Sequence, residues 1–124
     1  MAKILIVDDD RKVRQLTVAL LGINHTILEA NNGQEGLRMF TKHRPDLVIT
    51  DLNMPFMTGL ELINNLRVLH KVKIIVYSAF LYTPEQQAAI LQAGANLCLA
   101  KPAELATLKK AVDELLAPPA QQSV

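Results

Sequence analysis

The chain has 124 residues, half of them hydrophobic, with 13 Lys and Arg against 12 Asp and Glu, a formal net charge of +1 and one cysteine. A single domain of this length buries about two-thirds of the surface its unfolded form exposes, so a core forms without staples; one cysteine excludes an internal disulfide framework, and the balanced charge argues against a phosphate-backbone grip on nucleic acid as the main activity. Apolar runs such as residues 4–7 fall far short of the ~20 residues of a membrane span, and Asp8, Asp9 and Asp10 stand where the apolar part of a signal peptide would continue, which leaves a soluble cytoplasmic domain as the expectation.

From the N-terminus, residues 3–7 form a short run that is apolar from Ile4 onward, as a parallel strand covered on both faces requires. Asp10 then caps a helix with Val13, Leu16 and Leu20 on one face, and Gly22 stops it. Residues 26–30 are more mixed and suit a strand near a sheet edge. A second helix over 33–43 is weakened by Gly33 and Gly36. Residues 47–50 give a third strand, after which Thr58 and Glu61 have capping-box spacing ahead of Leu62, Ile63, Leu66 and Leu69. A fourth strand over 73–77 precedes Thr83-Pro84-Glu85-Gln86, a similar helix start with proline at the first helical position, and Gly94 closes that helix. A fifth strand over 96–99 leads into a helix over 103–116, where Leu105, Leu108, Val112 and Leu115 form an amphipathic stripe. Residues 1–117 read as the domain, and 118–124 as a frayed end or the start of a linker.

Five strands alternating with five helices predict an α/β domain of (βα)5 type, because right-handed crossovers wind helices onto both faces of a parallel sheet. In such a sheet the ligand site lies beyond the carboxyl ends of the strands, near a topological switch point. Asp8 and Asp9 leave the first strand there, Asp51 the third, Ser78 the fourth and Lys101 the fifth. Two unit charges about 4 Å apart repel by about 1 kcal/mol in water and about 4 kcal/mol at an effective dielectric of about 20, so three carboxylates together demand protonation or a cation. A hard divalent ion with oxygen ligands answers that demand: Mg²⁺, with Mn²⁺ as a substitute. Lys101 adds a second compensating charge and Ser78 a donor to an oxyanion, which describes a place for a phosphoryl group. Other polar residues have plainer readings. Asp10 is a cap, His25, His43 and His70 lack metal-ligand spacing, Met54 and Met57 fill a loop, and Lys109-Lys110 is a short charged face.

Residues 4–10 (ILIVDDD), 45–55 (PDLVITDLNMP) and 74–79 (IIVYSA), with Gly94-Ala95 and Lys101-Pro102, resemble the receiver domain of bacterial response regulators, the chemotaxis-type single-domain members included. The resemblance extends from residue 3 to about residue 116. It implies a flavodoxin-like, doubly wound five-stranded sheet of order 2-1-3-4-5. It further implies Asp51 as phosphoacceptor, Asp8, Asp9, Asp51 and the Asn53 backbone carbonyl as Mg²⁺ ligands, Ser78 as the switch hydroxyl, and Lys101 as the phosphate-pairing lysine, its bond to Pro102 cis. The implied donor is the phosphohistidine of a histidine kinase or histidine phosphotransfer protein. The implied output is a partner protein or domain met by the face spanning residues 86–110, from Gln86 through Lys110, with the chain monomeric or dimerising on phosphorylation. Such a chain signals, and catalyses only its own phosphorylation and slow autodephosphorylation.

Two positions depart from the family pattern. Cys98 stands where the family often has an aromatic ring that turns inward on activation, and Phe80 or Tyr82 is a candidate substitute for that ring. Phe80, two residues after Ser78, is also expected to shield the phosphoryl group from water and lengthen its lifetime. Competing readings are an Mg²⁺-dependent phosphatase or phosphotransferase with an Asp nucleophile, a flavodoxin-like flavin or nucleotide binder, and a degenerate receiver acting as a plain binding module. The first lacks the Asp-x-Asp spacing of haloacid-dehalogenase-like enzymes, and the second lacks a Gly-rich phosphate loop after the first strand.

Overall fold

The computed structural model describes residues 2–79, 81, 83–101 and 105–117. Phe80, Tyr82, Pro102 and the 118–124 tail lie outside these residues. The elements alternate as β1 (Lys3–Val7), α1 (Arg11–Leu21), β2 (Thr26–Ala30), α2 (Gly33–His43), β3 (Leu47–Thr50), α3 (Gly59–Leu69), β4 (Lys73–Ser78), α4 (Pro84–Ala93), β5 (Leu97–Ala100) and α5 (Leu105–Leu116). The five strands form one sheet of order β2-β1-β3-β4-β5, every pair parallel. The mixed strand β2 lies at an edge, as its composition suggests.

Helix starts follow from side-chain chemistry at each N-cap. Asp10 Oδ1 accepts the amides of Lys12 and Val13 at 3.0 and 3.2 Å, Asn32 accepts that of Glu35 at 2.8 Å, and Thr83 accepts that of Gln86 at 3.0 Å. Thr58 and Glu61 close a reciprocal capping box. Each such cap satisfies an otherwise orphaned amide and stabilises its helix by about 1 kcal/mol.

Strand alternation sends side chains to two separate cores. Leu5, Val7, Val48, Ile74 and Val76 face Phe40, Leu62, Ile63, Leu66 and Ile90, so α2, α3 and α4 cover one side. Ile4, Ile6, Leu47, Ile49, Ile75 and Tyr77 face Leu21, Leu108, Ala111 and Val112, so α1 and α5 cover the other. Each fully buried Leu or Ile contributes about 1.5–3 kcal/mol relative to exposure.

Two expectations need correction or explanation. Leu16 is not on the inward face of α1: it is 59 % exposed, and the helix buries Thr17 and Leu21 with Val13, Val18 and Leu20 packed alongside. Val13 and Leu20 keep their inward places, and Thr17 takes the one expected for Leu16. Gly36, which weakens α2 by propensity, is needed where that helix approaches the sheet. A Cβ there would stand 2.9 Å from Val7 Cγ2. Tertiary approach outweighs the roughly 1 kcal/mol that glycine costs a helix.

Candidate functional site at the carboxyl edge of the sheet

The strand order reverses direction between β1 and β3, and the two residues that leave those strands are Asp8 and Asp51. Both are buried, at 3 % and 6 % exposure. Their main chains are pinned by the sheet continuing past the strand ends: Asp8 N–H donates to the Ala30 carbonyl at 3.1 Å and Asp51 N–H to the Val7 carbonyl at 3.0 Å. The Asp51 carboxylate accepts the Leu52 amide at 2.6 Å, and that of Asp8 accepts the Asp10 amide at 2.9 Å.

Lys101 enters from the end of β5, its amide donating to the Ser78 carbonyl at 2.9 Å. Its Nζ bridges the two carboxylates, 2.6 Å from Asp8 Oδ2 and 2.9 Å from Asp51 Oδ2. Nζ also lies over the Tyr77 ring, 5.4 Å from its centroid. Burial disfavours the Lys101 ammonium, but the bonds to Asp8 and Asp51 outweigh it and raise its pKa above 10.5. For Asp8 the balance goes the other way. Burial raises its pKa above the ordinary 3.8 despite opposing bonds from Lys101 and the Asp10 amide.

Asp9 is exposed beside this pair, and one carboxylate oxygen each from Asp8, Asp9 and Asp51 lies within 4.8 Å of the others. The residues fit a hard divalent cation. The Lys101 ammonium bonds Asp8 and Asp51, Asp9 brings a third carboxylate within 4.8 Å of both, and its exposure keeps one side open to water, which Mg²⁺ retains in its coordination shell. Asp10 is turned to its capping role. Asp46 lies at the opposite end of the strands, where its Oδ2 accepts the Lys3 amide at 2.8 Å.

Ser78 is fully buried as the last residue of β4, in register with Ala100. Asn53 is exposed two residues beyond Asp51 in the β3–α3 loop. Gly59 holds that loop in place, because any Cβ on it would collide with the Asp51 carbonyl. Cys98 is half-buried against the α2–α4 core and in register with Val76, and burial pushes its thiol pKa up, which makes it a packing residue and not an activated thiol.

Two residues at the site escape a reading of the sequence. Arg14 donates through Nη1 to the Asp8 carbonyl at 2.6 Å and through Nε to Glu29 at 3.1 Å, bracing the acidic loop against β2. Its place one turn into the helix that follows the acidic pair is the signal that points to it. Tyr77 is the other, since its alternation toward the α1–α5 face hides it among core residues.

Known proteins agree with this architecture. The family model for the response regulator receiver domain matches residues 4–113. The chemotaxis protein CheY-3 of Vibrio cholerae is 37% identical over 118 residues, covering 91% of this chain and 90% of that protein. The KDP operon transcriptional regulatory protein KdpE of Escherichia coli is 40% identical over 103 residues, 82% of this chain and 45% of that protein. The solved structure of the chemotaxis response regulator CheY4 of Vibrio cholerae superposes with a TM-score of 0.86 at 33% identity, covering 94% of this chain and 99% of that one. With the acidic edge, the strand order and a family match along nearly the whole chain in agreement, this protein belongs to the response regulator receiver domain family.

Proposed function

We propose that this receiver domain takes a phosphoryl group onto Asp51 from the phosphohistidine of a histidine kinase or histidine phosphotransfer protein. The observation that carries this reading is the Lys101 bridge between Asp8 and Asp51 beside Asp9. It sets a nucleophilic carboxylate, an ammonium and two further carboxylates at one strand edge. In the transfer, an Asp51 carboxylate oxygen attacks phosphorus as the P–N bond breaks, and the bonding pair returns to the imidazole nitrogen of the donor. Lys101 then exchanges its Asp51 bond for one to a phosphoryl oxygen, so charge developing on that group meets an ammonium already in place. Ser78, at the end of the adjacent strand, is the hydroxyl that can follow the phosphoryl group.

Asp8, Asp9, Asp51 and the Asn53 carbonyl would hold Mg²⁺, or Mn²⁺ in its place, which supplies charge neutralisation for the incoming phosphoryl oxygens. Leu52 N–H and Arg14 keep the Asp51 carboxylate and the Asp8 main chain oriented whatever fills the site. In autodephosphorylation water attacks the phosphorus of the same acyl phosphate, the P–O bond to Asp51 breaks, and inorganic phosphate leaves with the carboxylate restored; the chain turns over no other substrate. The output partner meets α4, β5 and α5, within residues 86–110, and binds the phosphorylated and unphosphorylated forms with different affinity, since equal affinity shifts no population. Among the described residues no helix is long and apolar enough to cross a membrane.

Beryllofluoride with Mg²⁺, followed by fluorine NMR, tests the assignment. Bound fluoride resonances that require Mg²⁺ and vanish in Asp51→Asn are expected. Identical resonances in Asp51→Asn would move the acceptor elsewhere.

A further inference from the structure

Lys101 has a third neighbour besides its two carboxylates. The 5.4 Å from its Nζ to the Tyr77 ring centroid is inside the range of about 6 Å over which an ammonium is drawn to an aromatic face. Tyr77 is 7 % exposed, pairs in register with Leu99 and belongs to the same core as Leu108, Ala111 and Val112 of α5, which confines its ring. The Lys101 side chain is itself largely buried, which weakens competition from water for the same ammonium.

The two carboxylate bonds and the ring contact differ in kind. If Asp51 becomes an acyl phosphate, the bond from Lys101 to Asp51 Oδ2 must be exchanged, and a cation at the acidic cluster competes with Lys101 for Asp8. The ring face keeps its attraction through both changes. A lysine has a flexible four-carbon stem and loses considerable rotamer freedom when held in one place, so a partner that stays constant while the carboxylate bonds are exchanged narrows where its charge can go.

We propose that Tyr77 is a positioning residue for Lys101, its ring face holding the ammonium at the junction of Asp8 and Asp51 where the transferred phosphoryl oxygens arrive. This rests on the reading of Asp51 as phosphoacceptor. It also gives this protein an aromatic side chain touching its phosphate-pairing lysine on the α1–α5 side of the sheet. Position 98, on the α2–α4 side, carries only a thiol.

Rates of phosphorylation by acetyl phosphate with Mg²⁺, followed by intact-protein mass, are compared for the parent, Tyr77→Phe and Tyr77→Leu, with NMR shifts of the Lys101 ε-methylene protons recorded in parallel. The ring without its hydroxyl is expected to preserve the parent rate and the upfield, ring-shielded methylene shift. Tyr77→Leu is expected to lose the shielding and to slow by between about twofold and about thirtyfold, the span of a cation–π contact. A Tyr77→Leu rate equal to the parent's, or Tyr77→Phe as slow as Tyr77→Leu, would overturn the proposal. Unshielded methylene protons in the parent would do so too, even if Tyr77→Leu failed to fold. A parent that takes up no phosphoryl group would sink the reading of Asp51. The methylene shift then decides alone: shielding in the parent and Tyr77→Phe supports the ring contact, and its absence refutes it.

Discussion

Neutralising Asp9 should stabilise the metal-free protein and remove its response to Mg²⁺. Asp9 faces two carboxylates, with oxygens of all three within 4.8 Å of one another. At that separation one pair repels by about 0.9 kcal/mol in water and about 3.5 kcal/mol at an effective dielectric of about 20. Asp9 is exposed, so the aqueous end of that span applies to its two pairs. Lys101, bonded to both Asp8 and Asp51, returns part of the repulsion as attraction. Asp9→Asn should therefore gain about 1 kcal/mol without metal, an increment that shrinks with added salt. With Mg²⁺ about tenfold above the parent's dissociation constant, the parent gains about 1.4 kcal/mol from ligation and the variant, one carboxylate short, gains next to nothing. Urea unfolding followed by circular dichroism, in EDTA and then in Mg²⁺, reads both. The order of stabilities should invert between the two conditions. An Asp9→Asn protein less stable than the parent in EDTA, or one stabilised by Mg²⁺ as much as the parent, would refute the electrostatic argument.

Three other changes probe separate parts of the site. Lys101→Met leaves two buried carboxylates without their ammonium and should cost about 3 kcal/mol near neutral pH. With Asp8's folded pKa then further above its unfolded value, the folded state binds the extra proton, so the deficit should shrink as pH falls toward 3.8; a deficit constant in pH-dependent unfolding would contradict this. Gly59→Ala drives a Cβ into the Asp51 carbonyl and within 2.9 Å of Leu52 Cα, backbone atoms with no rotamer to yield, and should lose about 1–3 kcal/mol in urea midpoints together with Mg²⁺ affinity. Phe56 has φ 70°, spans a Met57 N–H to Pro55 carbonyl bond of 2.8 Å and is 82 % exposed, so Phe56→Gly should gain about 0.5–1 kcal/mol of stability; a loss would mean the ring packs against something.

The fold was legible because the patterning is local. Unbroken apolar runs marked the buried strands, and β4 and β5 end only one residue beyond their expected limits, at Ser78 and Ala100, because pairing continues as long as partners remain in register. Helix caps at Asp10, Thr58 and Thr83 were equally readable, since each depends on a side chain within three residues. The carboxylates and Lys101 could be brought to one edge from strand ends alone. What resisted reading depends on tertiary geometry. The inward face of α1 turns on which residue meets α5, the use of Gly36 on how closely α2 approaches Val7, and the contact of Tyr77 with Lys101 on a ring and an ammonium 24 residues apart in sequence meeting at 5.4 Å. Cys98 could be identified as a departure, but its packing toward the α2–α4 core came only with the register of β5 on β4.

The proposed role of Asp51 is to accept a phosphoryl group at an edge prepared by Asp8, Asp9 and Lys101. Incubation with acetyl phosphate and Mg²⁺, followed by intact mass and peptide mapping, tests it most directly. A single phosphoryl adduct on the peptide carrying Asp51, dependent on Mg²⁺ and missing from Asp51→Asn, is expected. An adduct that forms in EDTA, or that persists in Asp51→Asn, would contradict it.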